Sequence, residues 1–363
     1  MKHWFIIGTA AELIKLYPII HESHQAGTEW HILQTGQSSQ NFLEQANDFG
    51  ISKSKIIELV SNKSDLKNSL RALIWFLKAL LVRQSEIHSY IAKSTSSPIE
   101  SHDLVFVHGD TLSTVVGTIY GRRLGLTVVH IEAGMRSHFW KSPFPEELSR
   151  RFVSCLANIH MAPDENASNN LMNEGIKHNV HVTCGNTVVD ALRLTLTNSS
   201  PMQQPYVIAN IHRYENLYSP QRWNHIIEIL IETSKQHQII LILMPNTIAK
   251  FEKDKESFNR LLKAGVFMQP RLPFGKFAKL LHGATFVISD GGSNQQECFY
   301  LGKPCLILRD VTESLEGIGQ SCVLAKFDNK IITEFLTGYE KYRRPMAFPK
   351  RRPTDIIFER LKV

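Results

Sequence analysis

Short apolar runs rich in β-branched residues alternate with longer helical patterns, and this rhythm constrains the fold more than any other feature. The runs Trp4 to Ile7, Trp30 to Leu33, Leu104 to Val107, Val128 to Ile131 and Ile159 to Ala162 each have the length of one buried strand. Helical stretches between them imply βαβ units and a mostly parallel sheet. The rhythm breaks between Leu194 and Pro205, where Thr197-Asn198-Ser199-Ser200-Pro201-Met202-Gln203-Gln204-Pro205 has the composition of a linker. A second series follows, with Tyr206 to Asn210, Ile239 to Met244, Val266 to Gln269, Phe286 to Ser289 and Cys305 to Leu308. The pattern predicts an α/β chain of two doubly wound, Rossmann-like domains over 1–194 and 195–345. A basic segment, 346–363, is expected to return to the first domain, and no short internal repeat is evident.

A chain of 363 residues exceeds what one core usually organises, which agrees with two domains. Its 43% hydrophobic and 21% charged residues are those of a globular protein rather than a disordered one. Cys155, Cys184, Cys298, Cys305 and Cys322 are scattered, with no C-x-x-C pair or zinc spacing, so they are expected to be reduced and mostly buried, with no metal. The start of the chain, Met1 to Gly8, has too short an apolar run for a signal peptide, and a cytoplasmic protein is expected. The longest apolar stretch, Ala72 to Val82, is interrupted by Lys78 and falls short of the roughly 20 residues that span a bilayer. The net charge of +7 concentrates at Lys341, Arg343, Arg344, Lys350, Arg351 and Arg352. Such a run can grip nucleic acid. Interleaved with Pro345, Pro349 and Pro353, it is read instead as a solvated segment of a protein that handles anionic substrates.

Ligands of doubly wound sheets bind at the carboxyl ends of the strands, so the residues just after each run are the first candidates, and the cleft between the domains is the expected site. After the first run comes Gly8-Thr9-Ala10-Ala11-Glu12, with Lys15 one turn further on. That turn either offers backbone N–H groups to an anion or is a simple helix cap. Asp110 follows Val107-His108-Gly109, where an aspartate either caps the next helix or faces a substrate. Glu132 follows His130-Ile131 and precedes Ala133-Gly134-Met135-Arg136; Pro143-Phe144-Pro145-Glu146-Glu147 then leads to Arg150 and Arg151. Acids gathered at one sheet edge suit proton transfer when their surroundings tune them.

In the second domain, His212 follows Asn210-Ile211 and precedes Arg213-Tyr214-Glu215-Asn216. Ile288-Ser289-Asp290-Gly291-Gly292-Ser293-Asn294-Gln295-Gln296-Glu297 passes from a strand through a glycine turn into a helix, whose N–H groups and dipole suit a diphosphate. Glu297, one turn beyond Ser293 on the same face, can take two ribose hydroxyls. Arg309-Asp310-Val311-Thr312-Glu313 again closes a strand. The dinucleotide G-x-G-x-x-G, the phosphate loop G-x-x-x-x-G-K-[ST] and the zinc motif H-E-x-x-H do not occur, which argues against nicotinamide, ATP-hydrolysing and zinc-protease chemistry.

His108-Gly109-Asp110-Thr111, Glu132-Ala133-Gly134-x-Arg136, Pro145-Glu146-Glu147, Gly185-Asn186-Thr187-Val188-Val189-Asp190 and His212-Arg213-x-Glu215-Asn216, in this order, resemble the UDP-N-acetylglucosamine 2-epimerase family. The resemblance runs from Gly8 to about Gly317. It implies the two-domain fold of B-type glycosyltransferases, a UDP-sugar substrate, a homodimer, and neither metal nor organic cofactor. It also implies elimination of UDP across C1 and C2 of the sugar and re-addition with C2 inverted. By position, Asp110, Glu132 and Glu146 match the family's acid–base carboxylates and His212 its histidine near the diphosphate. Lys15, Arg136, Gly291, Gly292, Ser293 and Glu297 match substrate-binding positions.

The chain departs from the family at Ala10-Ala11 and at Ser314, where an arginine is usual in each place, and at Ser38-Ser39-Gln40 after Gln37, where His-Arg-Glu is usual. The first two departures remove cations that would meet the nucleotide, and the third removes side chains tied to allosteric binding of a second substrate molecule. Neither nucleic-acid binding nor membrane insertion is expected. The alternatives are an epimerase that releases free sugar and UDP, a glycosyltransferase of the same fold, and an inactive sugar-nucleotide sensor.

Overall fold

All ten apolar runs are strands, and every strand pairing among the described residues is parallel. The computed structural model describes residues 1–59, 69–95, 98–136, 146–196, 205–312 and 316–362. Two compact units divide the chain: Met1–Leu194 with Pro349–Val363, and Thr195–Phe348.

In the first unit the strands are β1 (His3–Ile7), β2 (Trp30–Gln34), β3 (Ile56–Glu58), β4 (Leu104–His108), β5 (Thr127–Ile131), β6 (Ile159–Ala162) and β7 (Val180–Val182). They lie in the order β3-β2-β1-β4-β5-β6-β7. The second unit holds β8 (Tyr206–Asn210), β9 (Gln238–Leu243), β10 (Phe267–Pro270), β11 (Val287–Ser289), β12 (Cys305–Ile307) and β13 (Cys322–Leu324), in the order β10-β9-β8-β11-β12-β13. The three-residue strands β3, β7 and β13 lie outside the ten runs, whereas β11 and β12, equally short, are extended in the sequence by the apolar neighbours Phe286 and Leu308.

Continuous apolar runs are what a sheet covered on both faces requires. In β1, Trp4 and Ile6 enter one buried cluster with Val105, Val107 and Tyr120, while Phe5 and Ile7 enter another with Leu13, Phe106 and Met161. In β8, Val207 and Ala209 pack on one side of the second sheet and Tyr206 and Ile208 on the other. Each large side chain so buried contributes about 1.5–3 kcal/mol, and Phe106→Ala is expected to cost about 3–5 kcal/mol.

Strand order reverses between β1 and β4 in the first unit and between β8 and β11 in the second. At such a switch point the two flanking connections leave on opposite faces, which opens a crevice at the strand ends. The turns after β1 and β4, and those after β8 and β11, are thereby brought side by side. No helix among the described residues is long and apolar enough to cross a membrane. Three arginines of the basic run are paired, each within its own unit: Arg343 with Glu340, Arg351 with Glu359, and Arg352 with Glu22 and Asp355.

Candidate functional site

The Gly8 turn resolves as a cap. Thr9 accepts from Glu12 N at 3.2 Å, and Glu12 Oε2 takes Gly8 N at 2.9 Å and Thr9 N at 2.8 Å, so these N–H groups serve the helix Ala10–Gln25 rather than an external anion. Thr111, not Asp110, caps the helix Leu112–Arg123, accepting from Thr114 N at 3.2 Å. Asp110 is left to face Arg150, whose Nε and Nη2 lie 2.8 and 2.6 Å from its Oδ2.

One turn into the first helix, Lys15 crosses to Glu132 at the end of β5, with Nζ 2.8 Å from Oε2 and 3.1 Å from Oε1. His108 Nε2, from the end of β4, lies 3.0 Å from the same Oε2, and Asn186 Nδ2 donates to Oε1 at 2.6 Å. Glu132 has a φ of 64°, a left-handed conformation rare outside glycine, which turns its side chain off the strand. Two residues on, Gly134 has a φ of 82°, and a Cβ there would stand 2.1 Å from the Ala167 carbonyl oxygen. Burial would push the Glu132 carboxyl up, but the Lys15 ammonium and the His108 ring outweigh it and hold the group far below the usual carboxylate range. Lys15, His108, Asp110, Glu132, Met135 and Arg150 line a cavity of about 180 Å³.

Glu146 begins the helix Glu146–Leu156, and its Oε2 is buried with no hydrogen-bond partner among the described residues. Glu147 turns the other way and meets Arg150 at 3.4 Å and Arg151 at 3.2 Å. Arg136, expected to meet substrate, does not line this cavity. Its side chain is only 3% exposed, and its guanidinium binds Glu174 through Nε at 2.9 Å and Nη2 at 2.5 Å, with Ser154 Oγ at 3.2 Å. The ion pairs lock the loop after β5 onto the helices beside it.

Three members of this cluster carry no sequence signal of their own. His108 lies within His108-Gly109-Asp110-Thr111, where the aspartate draws the attention, and Arg150 lies one helical turn after Glu146, a spacing that puts both on one face. Asn186 lies just beyond β7, which falls outside the ten apolar runs. Pro143 to Pro145, Thr197 to Gln204, Glu313 and Ser314 lie outside the described residues, as do the side chains of Ser39 and Gln40.

In the second unit His212 and Gly291 come together at the β8/β11 switch point. Asp290, with no exposed surface, accepts from His212 N at 3.0 Å, Arg213 N at 3.0 Å and Asn216 Nδ2 at 3.0 Å. His212 Nδ1 lies 3.3 Å from Asp290 Oδ1, so the carboxylate positions both the turn and the ring. A Cβ on Gly291 would stand 2.9 Å from His212 Cε1, which is why glycine occupies that turn. The helix Gly292–Tyr300 begins with Gly291 as its cap and no capping side chain, with Gly292 and Ser293 in its first turn. Glu297 is 5% exposed and accepts from Asn294 Nδ2 at 2.9 Å. Burial pushes its carboxyl up to about 7, against the opposing hydrogen bond from Asn294.

Comparison with known proteins gives one answer. A model described as UDP-N-acetylglucosamine 2-epimerase matches residues 21–347. The UDP-N-acetylglucosamine 2-epimerase of Methanocaldococcus jannaschii is 30% identical over 353 residues, 91% of this chain and 89% of the relative. That of Neisseria meningitidis serogroup A is 30% identical over 375 aligned positions, 96% of this chain and 94% of the relative. The solved structure of the Methanocaldococcus jannaschii UDP-GlcNAc 2-epimerase in complex with UDP-GlcNAc and UDP superposes with a TM-score of 0.74 at 26% identity, covering 100% of this chain and 99% of that one.

Proposed function

Because the chain belongs to the UDP-N-acetylglucosamine 2-epimerase family, we propose that it interconverts UDP-N-acetylglucosamine and UDP-N-acetylmannosamine by elimination and re-addition of UDP. A base removes the C2 proton, the C1–O bond breaks with its electron pair going to the diphosphate, and a C1=C2 double bond forms. A proton then arrives at C2 from the opposite face and UDP returns to C1. Oxidation state is unchanged across the cycle, so the reaction calls for no redox partner.

The observation that carries this reading is the convergence of Lys15, His108, Asp110, Glu132 and Arg150 on one cavity at the strand ends. Glu132, kept ionised by its neighbours, can take a proton and cannot supply one until it has done so. Asp110 and Glu146 complete the proton-transfer set. In the second unit His212 and the uncapped start of the helix Gly292–Tyr300 stabilise the departing diphosphate, Gly291, Gly292 and Ser293 hold it, and Glu297 takes the ribose. Arg136 acts at a distance, by keeping the loop after Glu132 in place. The proposal includes a cytoplasmic homodimer supplying precursors for bacterial surface polysaccharide, as the resemblance implies; light scattering reads the mass.

Incubation with UDP-N-acetylglucosamine in heavy water tests the chemistry. Nuclear magnetic resonance is expected to report deuterium at C2 of a product still linked to UDP. Release of free sugar instead would make the enzyme hydrolysing, and protium retained at C2 would exclude exchange at a carboxylate.

A further inference from the structure

The strand ends of the second unit carry a buried polar chain that stabilising a diphosphate does not by itself require. Asn210 closes β8, Ser289 closes β11, and Asn294 lies in the first turn of the helix Gly292–Tyr300; all three are buried. Asn210 Nδ2 donates to Asn294 Oδ1 at 2.8 Å. Ser289 Oγ lies 2.9 Å from the same oxygen and 3.1 Å from the Asn210 carbonyl, so two acceptors share its one proton. Gly291 N donates to that Oγ at 3.0 Å, which ties the chain to the diphosphate turn.

These contacts orient the Asn294 amide. Turning it over would set its NH2 against that of Asn210 and its oxygen against Glu297. As oriented, Nδ2 donates to Glu297 Oε2 at 2.9 Å, while Oε1 has no hydrogen-bond partner among the described residues. A carboxylate on a flexible side chain, held by one oxygen, presents the other in a defined direction.

We infer that Asn294 is a positioning residue of the nucleotide site, fixing the Glu297 carboxylate toward the ribose and so setting the preference for a ribonucleotide over its 2′-deoxy counterpart. This rests on the reading of Glu297 as the ribose carboxylate. A buried network of this kind is satisfied throughout or costly, and an apolar side chain at 294 would leave the Asn210 amide and Glu297 each short of a partner, while Ser289 keeps the Asn210 carbonyl as its acceptor. The same donor favours the ionised form of Glu297, the form that accepts from two hydroxyls.

Calorimetric titration of UDP and 2′-deoxy-UDP into the full-length wild type, Asn294→Leu, Asn294→Asp and Glu297→Ala tests the inference. The wild type is expected to prefer UDP by roughly tenfold, the scale of a hydrogen bond to a charged group. Both Asn294 variants should lose most of that preference while binding 2′-deoxy-UDP within about twofold of the wild type, and should change nothing further when combined with Glu297→Ala. Asn294→Asp keeps the shape of the side chain, so it reports even where Asn294→Leu does not fold. Wild-type preference in Asn294→Asp, or equal loss of both nucleotides, would overturn the inference while leaving Glu297 in place. Unchanged preference in Glu297→Ala would remove the ribose reading itself, and the role of Asn294 with it.

Discussion

Lys15 Nζ stands 2.8 Å from Glu132 Oε2, an ion pair between the first helix and the end of β5. The pair sits within the carboxylate cavity, and the Lys15 ammonium favours the ionised form of Glu132. Removing Lys15 takes away the strongest attraction holding the Glu132 carboxyl down, so its pKa rises. Lys15→Met is therefore expected to move the acidic limb of the kcat/KM profile to higher pH, because Glu132 then needs a higher pH to ionise. A limb that stays in place would assign it to another group.

Asp110→Asn, Glu132→Gln and Glu146→Gln each remove a proton-transfer group and little packing. Each is expected to lower turnover by about 100-fold or more, with the melting temperature largely kept. Near-normal turnover in all three would sink the assignment.

Glu297→Ala is expected to weaken UDP binding by roughly 1.5–3 kcal/mol, measured by calorimetry. The raised Glu297 pKa also has a stability consequence. A carboxyl whose folded pKa lies above its unfolded value stabilises the protonated protein, and that contribution is lost as pH rises from about 4.3, the unfolded value, to about 7. Glu297→Gln, neutral at every pH, should therefore melt higher than the wild type at pH 8 and close to it at pH 4.5. The opposite order at pH 8 would show that the ionised carboxylate is well accommodated.

Asp190 holds the last helix to the first unit. Its Oδ2 accepts from Thr354 N at 2.9 Å and Thr354 Oγ1 at 2.7 Å, at the start of the helix Pro353–Leu361. Asp190→Ala leaves both donors unsatisfied and is expected to cost about 1–3 kcal/mol. Limited proteolysis should then cut first within 349–363, and wild-type resistance there would place the anchor elsewhere.

Gln37 is engaged with the helix beside it, its Oε1 accepting from Ser113 N at 3.1 Å and Ser113 Oγ at 2.5 Å. With serines following it where charged side chains are usual in the family, velocity should depend hyperbolically on substrate, since cooperativity needs a second site with different affinity in two states. Sigmoidal kinetics abolished by Gln37→Ala would overturn this.

The residues from Trp4 to Ile7 show why the sheets were legible in the chain alone. A strand buried on both faces must be apolar at every position, a local property, and the helical spacers that make the strands parallel are local too. The candidate positions at the strand ends followed from the same rhythm, because a doubly wound sheet exposes its catalytic edge by topology. Asp110, Glu132, His212 and Gly291 were singled out as candidates in that way.

Which of those side chains meet one another was not written locally. Glu132 draws its partners from positions 15, 108 and 186, and whether a strand-end arginine reaches a ligand or a carboxylate depends on packing among distant helices. Arg136 reads in the sequence as a substrate residue, and only the tertiary structure shows that Glu174 and Ser154 bind its guanidinium. Asp110 read as a possible cap until Thr111 took that place. Periodicity and turn chemistry act over a few residues and belong to the sequence; the pairing of charges, and with it the ionised state of Glu132, acts through space and was decided by the tertiary structure.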